Sequence, residues 1–219
     1  MSKPVAREPL RRNSRSNRAR ILATAREELG RNPDVTLEEL ARAAGVVRRT
    51  LFGHFPGRAA LLEALAEEAA ETLRNTVEAG PESGDPAEPA ERALARFVLR
   101  MWPVGDRYRM LLALARRDLG AERVAEVLAP ARDAATGILE RGQRDGVFHS
   151  HLPPAVQSAG LEAMHVALLE SVNTGALEDD GHRIATATLI AAGVPEGRAS
   201  AVVEEVASAL AVAPPADDA

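Results

Sequence analysis

The chain has 219 residues, 46% of them hydrophobic and 27% charged, with aromatics at only 3%. That length suits one large domain or two small ones, and no apolar run approaches the ~18 residues of a membrane span. The formal charge is −5 and cysteine is absent, so disulfide scaffolds, thiol catalysis and cysteine-ligated metal sites are excluded.

Alanine contributes 43 residues, leucine 25 and isoleucine only 4. A pool this poor in β-branched and aromatic side chains favours helices over sheets. The charge is unevenly spread. Residues 1–60 carry 13 basic groups against 6 acids, a net of +7, whereas residues 61–219 carry a net of −12. A basic head on an acidic body implies that the head alone meets a polyanion. Residues 1–17 are basic and contain Pro4 and Pro9, but lack the apolar stretch of a signal peptide. They predict a flexible basic arm on a cytoplasmic protein.

From Arg18 the pattern turns helical, with Ile21, Leu22, Ala25 and Leu29 on one face, and Gly30, Asn32 and Pro33 stop it. A second helix opens at Thr36 with Glu39 three residues on, the spacing of a capping box. Leu37, Leu40, Ala41 and Ala44 form its inner face and Gly45 ends it. The next segment, Val46 to Phe55, is short and closed by Pro56 and Gly57. A long helix is predicted from Arg58 to Ala79, then a linker over 80–89 whose Asp85-Pro86 resembles a capped helix start.

The remainder is helical and punctuated by Pro103, Gly105, Gly120, Pro130, Gly142, Gly146, Gly181, Gly193 and Pro195. Pro130 is expected to kink or divide the segment 122–144. Later helices are expected at about 153–174, 181–192 and 195–212, followed by a disordered tail over 213–219.

Two short helices joined at a glycine make a helix-turn-helix when three conditions hold. The first helix needs a small residue where the axes cross, which Ala41 supplies. The turn needs a left-handed residue, which Gly45 supplies. The second helix needs buried anchors at helical spacing, which Val46, Leu51 and Phe55 supply. The face between those anchors then carries Arg48, Arg49 and Thr50, donors suited to base edges and phosphates.

The block TLEELARAAGVVRRTLFGHFPGRAALLEAL, with G-V-x-R-x-T-L-F-x-H-F at 45–55 and A-L-L at 60–62, resembles the DNA-binding domain of the TetR family of bacterial transcription regulators. The resemblance covers about a quarter of the chain. It implies an all-α fold: a three-helix DNA-binding domain over 18–62, then a helical effector-binding and dimerisation domain over 63–212. By matching position it implies that Arg48, Arg49 and Thr50 enter the major groove. Thr36, Phe52, His54 and Arg58 would meet the phosphate backbone. Two positions depart from the family pattern. Val47 stands where a small polar residue usually caps the recognition helix, and Phe52 where a tyrosine hydroxyl commonly bonds a phosphate.

The acidic body offers little for catalysis. Glu162-x-x-His165 has the spacing of half a di-metal site but lacks a second half, and His149 and His151 only flank a serine. No enzyme activity, metal or cofactor is expected. What remains is pocket material: Phe97, Met101, Trp102, Tyr108, Leu111 and Leu112 concentrate the rare aromatics and methionines. Met164, His165 and Leu168 could face them, with Arg116 and His165 as polar anchors for a small, mostly apolar effector. Ala155, Ala159, Ala163 and Ala167 recur every four residues and, with Val202 and Leu210, suggest a homodimer interface. The resulting expectation is a ligand-responsive repressor that binds a palindromic double-stranded DNA operator as a homodimer, away from any membrane. An all-α enzyme with a DNA-binding head and a constitutive architectural DNA binder are the alternatives.

Overall fold

The computed structural model describes residues 7–79 and 88–212, with side chains from Ser14 onward. Among them nine helices follow one another: α1 (Arg7–Arg31), α2 (Leu37–Ala43), α3 (Arg48–His54), α4 (Arg58–Glu78), α5 (Ala90–Asp118), α6 (Ala121–Arg144), α7 (Pro154–Asn173), α8 (His182–Ala192) and α9 (Glu196–Val212). The all-α fold is as the sequence predicts.

The chain divides into two compact units, one drawn from Met1–Ala69 and Met110–Val127, the other from Ala70–Arg109 and Leu128–Ala219. The expected boundary at 62/63 therefore misses two features. The first unit keeps α4 as far as Ala69, and it takes in the end of α5 and the start of α6.

In the first unit α1, α2 and α3 pack pairwise. Their apolar positions are buried as the periodicity requires: Ile21, Leu22, Ala25 and Leu29 on α1, Leu40 and Ala41 on α2, and Leu51 on α3. Arg26 on α1 pairs with Glu68 on α4, and Leu61, Leu62 and Leu65 of α4 are buried. In the second unit one core gathers Leu94, Ala95 and Val98 of α5, Leu139 of α6, Leu161 of α7, and the inner faces of α8 and α9. Gly142 lets Phe148 fold back against α6, since a Cβ there would stand 2.1 Å from the ring.

Three expectations need correction. Arg7 to Asn17 are helical where a flexible arm was expected; residues 1–6 lie outside the described part. Missing apolar periodicity signals missing packing, not missing helix, and a helix nucleated over 18–31 extends one hydrogen bond at a time through arginine and other tolerant residues. Pro9 sits in the first turn, where its absent N–H leaves no bond unmade.

Neither Pro103 nor Pro130 divides its segment, and each lies inside one helix. An interior proline costs about 3 kcal/mol. Burial on both sides of each proline offsets it: Val98 and Tyr108 flank Pro103, and Val127 and Leu139 flank Pro130. The helix start at Asp85-Pro86 lies outside the described residues, and α5 begins at Ala90, where Pro89 O accepts from the N–H groups of Arg92 and Ala93.

Val202 is 0% exposed and belongs to the core of its own chain. Leu210 is half-buried against that same core. Val202 therefore offers no face to a second subunit, because a helix packed on α8 turns its valines inward. The tail 213–219 lies outside the described residues.

Candidate nucleic-acid interface

The α2–α3 hairpin is set by local chemistry. Thr36 Oγ1 accepts from the Glu39 N–H at 3.2 Å, and the Glu39 carboxylate accepts from the Thr36 N–H at 2.8 Å and its hydroxyl at 2.7 Å. These bonds hold the Glu39 carboxyl below the usual carboxylate range, the Thr36 backbone bond contributing most. Gly45 sits at φ +62° in the connection, a left-handed conformation costly for any side chain with a Cβ. Val47 is the N-cap of α3 and makes no side-chain cap bond, as a valine must. It is 70% exposed.

Leu51 and Phe55, both buried, anchor α3, and the Arg18 guanidinium lies 5.4 Å from the centre of the Phe55 ring. The helix then turns Arg48 and Arg49 to solvent, with Thr50, Phe52 and His54 half-buried beside them. Five of the seven residues expected at DNA are thus gathered on seven residues of helix.

The other two are engaged within the chain. Both donors of Thr36 go to Glu39, so a phosphate would have to displace that carboxylate. Arg58 donates from Nη1 to Val35 O at 3.1 Å and from Nη2 to Pro33 O, and its Nε lies 3.4 Å from Asp118. Its first role is to tie the α1–α2 connection and the end of α5 to the start of α4. Sequence reasoning missed three residues of this framework. Glu38 pairs with Arg48 at 3.0 Å, and Asp118 pairs with Arg58. Arg123 on α6 donates to Glu63 on α4 at 2.8 Å and to Glu67 at 3.3 Å. Each contact except that of Glu38 spans more than fifty residues, and only the fold brings the partners together.

In the second unit, Phe97, Trp102, Met164 and Leu168 pack against the core, and Met101 is half-buried. Trp102 leans on Gly181, where a Cβ would come within 2.9 Å of the indole. Tyr108 is buried, its hydroxyl 3.3 Å from Thr72 Oγ1. Leu111, Leu112 and Arg116 belong to the first unit, and Arg116 is exposed. The expected pocket constellation is therefore divided.

His165 Nε2 lies 2.7 Å from Thr188 Oγ1, which itself donates to Ile184 O. A hydroxyl has one hydrogen to give, so His165 must donate here from Nε2 and keep Nδ1 as an acceptor. Burial pushes the imidazole down to about 4. Glu162 is held by Arg132 at 2.8 Å, so the Glu-x-x-His pair is committed to structure. Among the described residues no group of three potential ligands is placed to hold a metal. No helix among them is long and apolar enough to cross a membrane.

A basic N-terminal unit that displays a helix-turn-helix, joined to a helical body, is the architecture of a DNA-binding regulator. Residues 21–65 match the sequence model of bacterial regulatory proteins of the tetR family. The match lies within the N-terminal helices, and the chain as a whole shares the fold of solved tetR-family regulators.

The chain is similar to the solved structure of a gamma-butyrolactone receptor, an ArpA-like protein, at 21% identity and a TM-score of 0.68, covering 90% of this chain and 97% of that one. It is similar to a tetR-family regulatory protein from Rhodococcus RHA1 at 18% identity and a TM-score of 0.67, covering 82% and 98%. It is also similar to SmeT, the repressor of the Stenotrophomonas maltophilia multidrug efflux pump SmeDEF, at 21% identity and a TM-score of 0.61, covering 80% and 89%. No curated protein matches the sequence.

Two predictions come from this geometry. Arg58→Ala should lower stability by about 1–3 kcal/mol in the absence of DNA, because two turn carbonyls and a carboxylate lose a donor together. Thermal unfolding checks this; an unchanged melting temperature with weaker binding to every DNA would return Arg58 to a phosphate role.

The second concerns acid. An unfolded histidine titrates near 6.5 and the folded His165 near 4, so between these values the unfolded chain binds the extra proton. Stability is full above about pH 6.5 and falls by up to about 3 kcal/mol as the pH drops toward 4. Denaturant titrations of His165→Leu should show a flatter acid slope than those of the wild type. The same slope in both would mean that His165 protonates in the fold.

Proposed function

We propose that the chain is a ligand-responsive transcriptional regulator that represses by binding a palindromic DNA operator as a homodimer in the cytoplasm. The observation that carries the DNA reading is the α3 surface. Arg48 and Arg49 project from a short helix whose entry, turn and anchors are all fixed, and Thr50 stands beside them. Arginine donors on such a helix suit guanine edges in the major groove. One seven-residue reader is small for strong specificity, which favours two copies on two half-sites.

The dimer reading is supported by α7, where Ala155, Ala159, Ala163 and Ala167 are all exposed along one stripe. Leu152, Val156 and Ile190 are exposed at 46%, 52% and 42%. An apolar surface of this kind, with small residues every fourth position, allows close approach of a partner helix.

For the effector we infer a small, mostly apolar molecule held in the second unit by residues among Phe97, Met101, Trp102, Tyr108, Met164 and Leu168. His165 would accept a hydrogen bond at Nδ1 from a hydroxyl or N–H of that molecule. Solved relatives in fold include one described as a gamma-butyrolactone receptor and one as a repressor, which supports ligand response and repression. A shift along α5 would reach Asp118 and, through Arg58, the start of α4. With Glu162 and His165 both engaged in structural bonds, we assign no catalysis to the chain.

Selection from random duplexes tests the reading. The wild-type protein should enrich near-palindromic sites with half-sites about one helical turn or more apart. Light scattering should give a dimer. Ala163→Glu should yield a folded monomer with weakened operator binding, since it places an unpaired carboxylate in the interface. Val202→Glu should instead unfold the chain. A folded Ala163→Glu dimer with unchanged affinity would contradict the α7 interface.

A further inference from the structure

On the reading that α3 is the recognition helix, we propose that Glu38 and Phe52 are specificity residues: together they hold the Arg48 guanidinium in position to read a guanine in the operator. Arg48 is the first residue of α3 and Phe52 lies one turn on, so the two side chains share a face of the helix. The guanidinium carbon lies 5.1 Å from the centre of the Phe52 ring. Its Nη2 lies 3.0 Å from Glu38 Oε1, a carboxylate in the first turn of α2. The side chain is 69% exposed and has lost little contact with solvent. It is nevertheless restrained twice, at one edge by a charge and on one face by a ring.

The two restraints come from different helices, and this is what gives them meaning. A free arginine has many rotamers and must surrender them on reaching a base, which lowers affinity about two- to tenfold per immobilised side chain. Here the α2–α3 hairpin fixes Glu38 and Phe52, and they remove much of that freedom beforehand. A guanidinium carries five N–H donors. Glu38 pairs with its charge at the Nη2 edge, and the donors along the rest of the fork face the O6 and N7 acceptors that mark guanine in the major groove.

Glu38 also acts against the wrong DNA. A carboxylate beside the reading face repels phosphates whatever the sequence, so it weakens non-specific binding while sharpening Arg48. Phe52 acquires a role that a phosphate-bonding hydroxyl would not need. The ring faces an arginine, and the π face is what the cation requires.

The test uses the full-length protein and a site selected from random duplexes. Arg48→Ala should abolish the guanine preference at one base pair of each half-site. Glu38→Gln should reduce that preference about two- to tenfold and strengthen binding to random duplexes. Phe52→Leu should reduce it similarly, whereas Phe52→Tyr, which keeps the ring, should retain it. On the Arg48→Ala background, Glu38→Gln and Phe52→Leu should have no further effect at that base pair.

Melting curves establish folding, and Glu38→Gln keeps the test valid should Phe52→Leu unfold, since Glu38 is an exposed side chain. The positioning role is overturned if Arg48→Ala abolishes the preference while Glu38→Gln and Phe52→Leu leave it intact. If the wild-type protein enriches no sequence, or Arg48→Ala keeps every preference, the recognition reading itself fails, and this proposal with it.

Discussion

The guanidinium of Arg58 joins three segments that are far apart in the chain: the carbonyls of Pro33 and Val35 between α1 and α2, the start of α4, and Asp118 at the end of α5. The pose of α3 depends on α2, and α2 enters from that connection. Carbonyls in a connection between helices have no partner within a helix, and an arginine fork can satisfy both at once. Asp118 is held below the usual carboxylate range, first by its hydrogen bond with Arg117 and then by Arg58. The carboxylate therefore stays charged over the ordinary pH range. Arg123 does similar work one turn deeper, linking the start of α6 to Glu63 and Glu67 of α4. Both arginines lie inside the first unit, which includes the end of α5 and the start of α6.

The reading surface itself is lightly built. Helix α3 has seven residues, no side-chain cap and one buried residue of its own, Leu51, with Phe55 just beyond it. A helix this short is not stable alone. Its position is imposed by the capping box before α2, the left-handed Gly45 and the two apolar anchors. That arrangement leaves the outward side chains free of structural duty except for the restraints on Arg48. The thermodynamic logic is economical in ordering: the framework is fixed once, in folding, and not again at each encounter with DNA.

How much could be read from the sequence follows from the range of each interaction. The capping box, the glycine turn, Pro56 after α3 and the boundaries of α7, α8 and α9 are set by neighbours within a few residues, and they were legible. The outer half of α1 was not, because its residues carry no apolar stripe to signal a helix. Division of the chain at Pro103 or Pro130 did not follow, since a local breaker was outweighed by burial on either side. Val202 was placed at a subunit interface because alanine- and valine-rich helices look alike whether they face their own core or a partner. At the site, the residues of α3 were legible from spacing and from resemblance. The intramolecular engagement of Thr36 was half visible, since Glu39 was recognised as its capping partner but not as a rival for phosphate. The Arg58–Asp118 pair depends on a contact across the fold, and Glu38 on the packing of α2 against α3, and no local pattern shows them.

The central claim is that α3 meets DNA and that the second unit does not. Hydrogen exchange, followed by mass spectrometry on the full-length protein with and without a selected duplex, measures this directly. Slowed exchange concentrated over residues 36–58, with little change in α8 and α9, is the outcome that the account requires. Protection confined to the second unit, with α3 exchanging as it does in the free protein, would contradict it.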